Sequence, residues 1–279
     1  MKLTFIGIGA QKCASSWLFD ILADHPEAAL SHKKELDFFS YHYENGYAWY
    51  EQQFTDKPEA KAVGEISPSY FNEASVPERA KLYSPDLRIV LSLRDPVERA
   101  LSQHRHLIRI GTLTGPDLRF ETALTDNPSY IEQGLYATHL SRWLGSFPEA
   151  QIHVVLMDDI KSHPVETARK VYQFLGIAED HQSASLHEKS NPSYIVRSRG
   201  LDSVVCTLRG AATRLGLDPV WRGLGRMGLQ QLYRSMNRQP SHANIPAPSP
   251  DTLASLKQRF KPNILELQGM LGRDLSTWL

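Results

Sequence analysis

Short apolar runs, each followed by a helical stretch, constrain the fold of this chain more than any other feature. Leu3–Gly9, Ala62–Ile66, Leu87–Leu93 and Gln151–Met157 read as buried strands. Ser15–Ala23 reads as a helix stopped near Pro26. Asp95-Pro96-Val97-Glu98 opens another, with an acceptor side chain at the N-cap, proline at the first helical position and glutamate two residues on. His163-Pro164-Val165-Glu166 repeats that order and opens a helix ending at Gly176. Parallel neighbours need long crossovers, usually helical, so strands separated by helices predict an α/β fold. Its central parallel sheet is flanked by helices in three layers. Ser249-Pro250-Asp251 caps a last helix running to about Leu271.

Composition narrows what such a fold can do. The 279 residues carry 31 basic and 31 acidic side chains, so general attraction to nucleic acid is not expected. The two cysteines, Cys13 and Cys206, make neither a disulfide framework nor a zinc site and read as reduced thiols. The 11 histidines are scattered; His104 and His106 read as helix-surface residues, and no metal is expected. No apolar run reaches the roughly 20 residues that span a bilayer, and Met1–Gly7 leads directly into a strand, so a cytoplasmic location is expected. Residues 197–238 are rich in arginine among Leu, Trp221 and Met227. That stretch reads as a solvated helix face closing a cleft, or as a surface for peripheral contact with anionic lipid. The whole reads as a single domain over 1–279, with this basic helical part from about Arg197.

The first strand runs into Gly7-Ile8-Gly9-Ala10-Gln11-Lys12-Cys13-Ala14-Ser15-Ser16-Trp17-Leu18. Helix N-termini present backbone N–H groups and the positive end of the dipole, so a loop of small residues before one is suited to a phosphate. Lys12 adds positive charge, and Ser15 and Ser16 add hydroxyls. A Walker loop needs Gly-Lys followed at once by Ser or Thr, whose hydroxyl holds magnesium. Here Cys13 and Ala14 intervene, so the register fails. A second strand end, Leu93-Arg94-Asp95-Pro96-Val97-Glu98-Arg99-Ala100-Leu101-Ser102, again joins a helix start. Arg94 supplies a planar fork of donors suited to phosphate, and Ser102 stands eight residues on.

Lys-x-x-Ser-Ser in the first loop and Arg94 with Ser102 in the second resemble the sulfotransferases that use 3′-phosphoadenosine 5′-phosphosulfate (PAPS). Further segments are similar to the heparan sulfate glucosaminyl O-sulfotransferases and their bacterial carbohydrate-modifying relatives. They are Lys34-Glu35-Leu36-Asp37-Phe38-Phe39, Gly64-Glu65-Ile66-Ser67-Pro68-Ser69-Tyr70, Gly134-Leu135-Tyr136 with Leu140 and Trp143-Leu144, and Phe174-Leu175-Gly176. Tyr136 and Trp143, seven apart, read as core residues of a helix. The resemblance implies a P-loop-like fold and transfer of a sulfuryl group from PAPS to a hydroxyl of a carbohydrate or glycolipid, without a metal. It implies Lys12, Cys13, Ala14, Ser15, Ser16 and Trp17 around the 5′-phosphosulfate. Arg94 and Ser102 would meet the 3′-phosphate, with Arg197 in a late loop closing over it. Glu35 is implied as general base, with Phe38 and Phe39 excluding water, and Lys12 as the charge facing the departing oxygen. Lys34, Asp37, Glu65 and Ser67 fall to the acceptor side, Glu65 reading equally well as a structural hydrogen-bonding group. The chain departs from the pattern at Cys13 and Ala14, at Ile66 where a substrate-binding lysine is common, and at Asp37 where a histidine is common. The rival functions are a P-loop kinase acting on a small molecule, and a non-catalytic binder of adenosine 3′,5′-bisphosphate.

Overall fold

The computed structural model describes residues 2–54, 57–187, 194–196, 238–240 and 245–279, which fall into two compact units. The first unit takes Met1–Gln103, Asn127–Asn191 and Ser249–Leu279 and holds the sheet. Its strands are β1 (Phe5–Gly9), β2 (Ala28–Leu30), β3 (Ala62–Ile66), β4 (Arg88–Leu93) and β5 (Ile152–Leu156). They lie in the order β2-β3-β1-β4-β5, and each neighbouring pair is parallel. The helices are α1 (Ser15–Ala23), α2 (Phe38–Tyr41), α3 (Gly46–Glu51), α4 (Val76–Tyr83), α5 (Pro96–Ile110), α6 (Phe120–Asp126), α7 (Ser129–Glu132), α8 (Tyr136–Ser146), α9 (Met157–Ser162) and α10 (Pro164–Leu175), followed by the C-terminal helix Pro250–Leu271. The parallel sheet flanked by helices is the expected architecture. One strand was not legible in the sequence: Ala28-Ala29-Leu30 is only three residues long, too short for a period to show.

Both faces of the sheet are covered, so β1 and β3 are buried at every position. Phe5, Ile66, Val90 and Val155 pack against Trp17, Leu18, Ile21 and Leu22 of α1 and Ala168, Val171 and Leu175 of α10. Each large side chain buried in this layer stabilises the unit by about 1.5–3 kcal/mol. Tyr136 and Trp143 of α8 are fully buried, as their spacing predicts.

Sheet order fixes where a site forms. From β1 the chain moves to β2 and β3 on one side, and later to β4 and β5 on the other, which leaves a crevice beyond the carboxyl ends of β1 and β4. The two ends are stitched together: Ala10 N donates to Ser92 O at 2.7 Å and Ser92 Oγ to Gly9 O at 3.0 Å. Ser67 N donates to Gly7 O at 2.9 Å, bringing the end of β3 alongside. Gly9 has φ +126°, and a Cβ there would stand 2.7 Å from Pro68 O, so this crossing of backbones needs glycine.

The helix starts follow the sequence unevenly. Asp95 Oδ1 accepts from Val97 N at 2.7 Å and Glu98 N at 3.2 Å, a cap contributing about 1 kcal/mol. His163 makes no side-chain cap, and Glu166 turns outward to Arg169 instead. The C-terminal helix is capped as expected, Ser249 Oγ accepting from Thr252 N at 3.1 Å.

The second unit takes His104–Asp126 and Pro192–Pro248. Among its described residues, β6 (Tyr194–Val196) pairs antiparallel with β7 (Arg238–Pro240). His104 corrects the sequence reading: it is 2% exposed rather than on a helix surface. Its ring packs on Phe120, Nε2 lies 3.1 Å from Leu118 O, and burial holds its pKa below the ordinary histidine value. No helix among the described residues is long and apolar enough to cross a membrane.

Candidate functional site

The first loop leaves β1 and enters α1 through two left-handed residues, Lys12 (φ 67°) and Ala14 (φ 68°). Cys13 N closes the turn onto Ala10 O at 3.2 Å. Ala14, at the N-cap, offers no capping side chain, so the first turn of α1 turns backbone N–H groups and dipole toward the crevice. Ser15 is almost fully buried, whereas Lys12 and Ser16 are half-buried at the rim. The side chains of Cys13 and Trp17 are buried and do not line the crevice. Trp17 is 4% exposed and donates Nε1–H to Leu186 O. The Cys13 thiol has no exposure and sits 3.6 Å from the Tyr136 hydroxyl. Burial pushes its pKa up to about 11, so it is a neutral thiol rather than a nucleophile.

At the end of β4, Arg94 Nη2 donates to Glu98 Oε2 at 2.8 Å. Its Nε is buried and has no hydrogen-bond partner among the described residues. This guanidinium, only 15% exposed, therefore keeps donor capacity that an anionic group would take up. Ser102 is half-buried on α5, one turn beyond Glu98 and on the same face. The two loops come together under the crevice, where the Arg94 backbone N–H and guanidinium act on the Cys13 thiol. Among the described residues no group of three His, Cys, Asp or Glu is placed to hold a metal.

The opposite wall is the segment after β2. Lys34 Nζ donates to Ser16 Oγ at 2.8 Å and Ser15 Oγ at 3.5 Å, and pairs with Glu35 Oε1 at 3.1 Å. It thus joins three sequence-predicted site residues, two of them on α1. Glu35 is left-handed (φ 62°) with its side chain 49% exposed. Phe38 and Phe39 do not shield it: both are fully buried, Phe38 stacking on Tyr50 at 4.2 Å. Asp37, also left-handed (φ 52°), accepts from Ser69 Oγ at 2.6 Å. Ile66, Glu65 and Ser67 have no exposed surface, so Glu65 and Ser67 support this wall from within rather than line it. Burial raises the Glu65 pKa, and hydrogen bonds from Ser67, Tyr70, Tyr50 and Leu36 N pull it back. Tyr50 and Tyr70 belong to this network; the sequence reading quoted Tyr70 only as the end of a motif and did not single out Tyr50. Arg197 lies outside the described residues, together with Cys206, Trp221 and Met227.

Such a crevice is suited to an anion at two strand ends and carries an accessible carboxylate beside one of them. Comparison with known proteins gives the family. Residues 4–193 match the family model of the sulfotransferase domain. The chain is 32% identical over 180 residues to mouse (Mus musculus) heparan sulfate glucosamine 3-O-sulfotransferase 3A1, covering 61% of this chain and 44% of that protein. It is 32% identical over 176 residues to human (Homo sapiens) heparan sulfate glucosamine 3-O-sulfotransferase 6, covering 61% and 51%. The chain thus spans about half the length of the curated relatives it matches. A sulfotransferase crystal structure from Alicyclobacillus acidocaldarius has the same fold, with a TM-score of 0.70 and 24% identity, covering 100% of this chain and 99% of that one.

Proposed function

This chain belongs to the sulfotransferase family, and from that premise we propose that it moves a sulfuryl group from PAPS to a hydroxyl of a carbohydrate or glycolipid, releasing adenosine 3′,5′-bisphosphate. The observation that carries this reading is the Lys34 bridge from Ser16 Oγ to Glu35 Oε1, which puts an exposed carboxylate beside the phosphate loop. Bound PAPS would supply an activated sulfur whose bond to the phosphate oxygen breaks as the acceptor oxygen attacks.

The residues divide the work. The first turn of α1, with Ser15 and Ser16, would hold the 5′ end, and Arg94 with Ser102 the 3′-phosphate. Lys12 would face the departing oxygen as its charge grows. Glu35 would accept the proton of the attacking hydroxyl, and Lys34 would orient that carboxylate. Asp37 would meet the acceptor on the same wall. The carbohydrate class rests on the named substrates of the relatives. Ile66, buried and apolar, adds no cation for an anionic chain.

The test is release of adenosine 3′,5′-bisphosphate from PAPS in magnesium-free buffer. Heparan sulfate oligosaccharides and an uncharged alkyl glycoside serve as separate acceptors. Glu35→Gln is expected to keep nucleotide affinity and lose turnover by about 10² or more. Unchanged turnover removes Glu35 from the reaction, and a preference for ATP with magnesium points to a kinase.

A further inference from the structure

Glu65, the penultimate residue of β3, has no accessible surface, and four groups donate hydrogen bonds to it. Ser67 Oγ donates at 2.5 Å and Leu36 N at 3.3 Å to Oε2; Tyr50 OH donates at 2.8 Å to Oε1, and Tyr70 OH to the same oxygen. Four hydrogen bonds thus meet the two carboxyl oxygens, three from hydroxyls and one from a backbone amide. None of the ion pairs among the described residues involves it. A buried carboxyl group is costly unless its oxygens are hydrogen-bonded, and these four donors meet them.

Those donors lead to one segment. Leu36 N binds Glu65 directly, Asp37 N donates to Ser67 Oγ at 2.9 Å, and Phe39 N donates to Tyr70 OH at 3.3 Å. Glu35 N donates to Ile66 O at 3.3 Å, the residue next to Glu65. The amides of residues 35, 36, 37 and 39 are therefore fixed to the end of β3, three of them by Glu65 or by a hydroxyl that Glu65 holds. Within this stretch Glu35 and Asp37 adopt left-handed backbone, which non-glycine residues keep only where their surroundings impose it. That backbone sets the direction in which the Glu35 side chain leaves toward Lys34 and α1.

We propose that Glu65 is a positioning residue: its buried, fully hydrogen-bonded carboxyl group clamps residues 35–39 in the left-handed course that presents Glu35 to the phosphate loop. The inference rests on the reading of Glu35 as the base. Glu65→Gln turns one of the two acceptor oxygens into an N–H donor, so the groups facing it must reorient or lose their acceptor, and the clamp weakens while the size is kept.

The test is a double-mutant cycle read by release of adenosine 3′,5′-bisphosphate from PAPS with the alkyl glycoside as acceptor. Glu65→Gln is expected to lower turnover at least about tenfold, as a misplaced group does, with nucleotide affinity unchanged. The double variant Glu35→Gln/Glu65→Gln should be no slower than Glu35→Gln alone. Ser67→Ala, a milder change that removes one hydroxyl, should show a smaller loss with the same non-additivity. Losses that multiply, or a fall in nucleotide affinity of equal size, would overturn the proposal in favour of a general structural role. Amide exchange separates this claim from the base assignment. Glu65→Gln should speed exchange at Leu36 and Asp37, and unchanged protection sinks the clamp whatever Glu35 does. A harmless Glu35→Gln with faster exchange in Glu65→Gln would instead overturn the base and leave the clamp standing.

Discussion

At the end of β4 the chain offers positive charge with hydrogen-bonding capacity left over. At the end of β3 it consumes its donors internally. Arg94 shows the first condition, with one pair to Glu98 and a buried Nε that has no partner among the described residues. Glu65 shows the second, its two oxygens met by a serine, two tyrosines and a backbone amide. The difference suits the two jobs proposed for the walls. A surface that receives an anion needs donors not yet spent, because each hydrogen bond to a charged group adds about 1.5–3 kcal/mol. A surface that aims one carboxylate needs stiffness, since a small displacement of a reacting group costs more than a lost contact.

The comparison can be broken at the receiving wall first. Lys12→Ala removes the charge proposed to face the departing oxygen and is expected to reduce turnover by about 10²–10³, with a smaller change in affinity for adenosine 3′,5′-bisphosphate. Steady-state kinetics with PAPS checks this, and an affinity loss as large as the rate loss would make Lys12 a binding residue only. Beneath the same loop, Cys13 gives a pH signature. Its folded-state pKa of about 11 lies above the ordinary 9.0, so between those values the folded chain holds a proton that the unfolded chain releases. Stability contributed by the neutral thiol is therefore complete below pH 9 and is lost as pH rises toward 11, by roughly 3 kcal/mol. Cys13→Ala should flatten that part of the alkaline loss in chemical denaturation. An unchanged slope would place the thiol in contact with water. The smallest effect is at Glu98. Glu98→Gln releases Arg94 from a partly exposed ion pair worth under about 1 kcal/mol, so nucleotide affinity should rise by no more than a few-fold. Calorimetric titration measures it, and weaker binding would mean that Glu98 orients Arg94 rather than competing for it.

The wall at the ends of β1 and β4 was largely legible in the sequence; for the wall after β2 the sequence named residues but not the contacts that stiffen it. Strand ends and helix starts are local. Gly9, Lys12 and Ser15 stand within seven residues, and Arg94, Asp95 and Pro96 are consecutive. The helix Ser15–Ala23, the strand Ala62–Ile66 and the helix ending at Leu271 lie where the period and the caps put them. Glu65 draws its partners from Leu36 and Tyr50, 29 and 15 residues away, and no spacing rule connects those positions. The left-handed turns at Glu35 and Asp37 were equally hidden, because neither is glycine or asparagine, the usual markers of that backbone. His163 misled for a physical reason. Its ring sits beside Ser162 Oγ at 2.9 Å instead of reaching the first turn of α10.

The central claim is that separate strand ends grip opposite ends of one nucleotide, and binding of two ligands to two proteins tests it most directly. Adenosine 3′,5′-bisphosphate and adenosine 5′-monophosphate differ only in the 3′-phosphate. The unmodified chain should prefer the bisphosphate by about tenfold or more, the value of a charge-assisted contact. Arg94→Ala should erase that preference while leaving the monophosphate affinity in place. A preference that survives in Arg94→Ala would put the 3′-phosphate elsewhere and contradict the account.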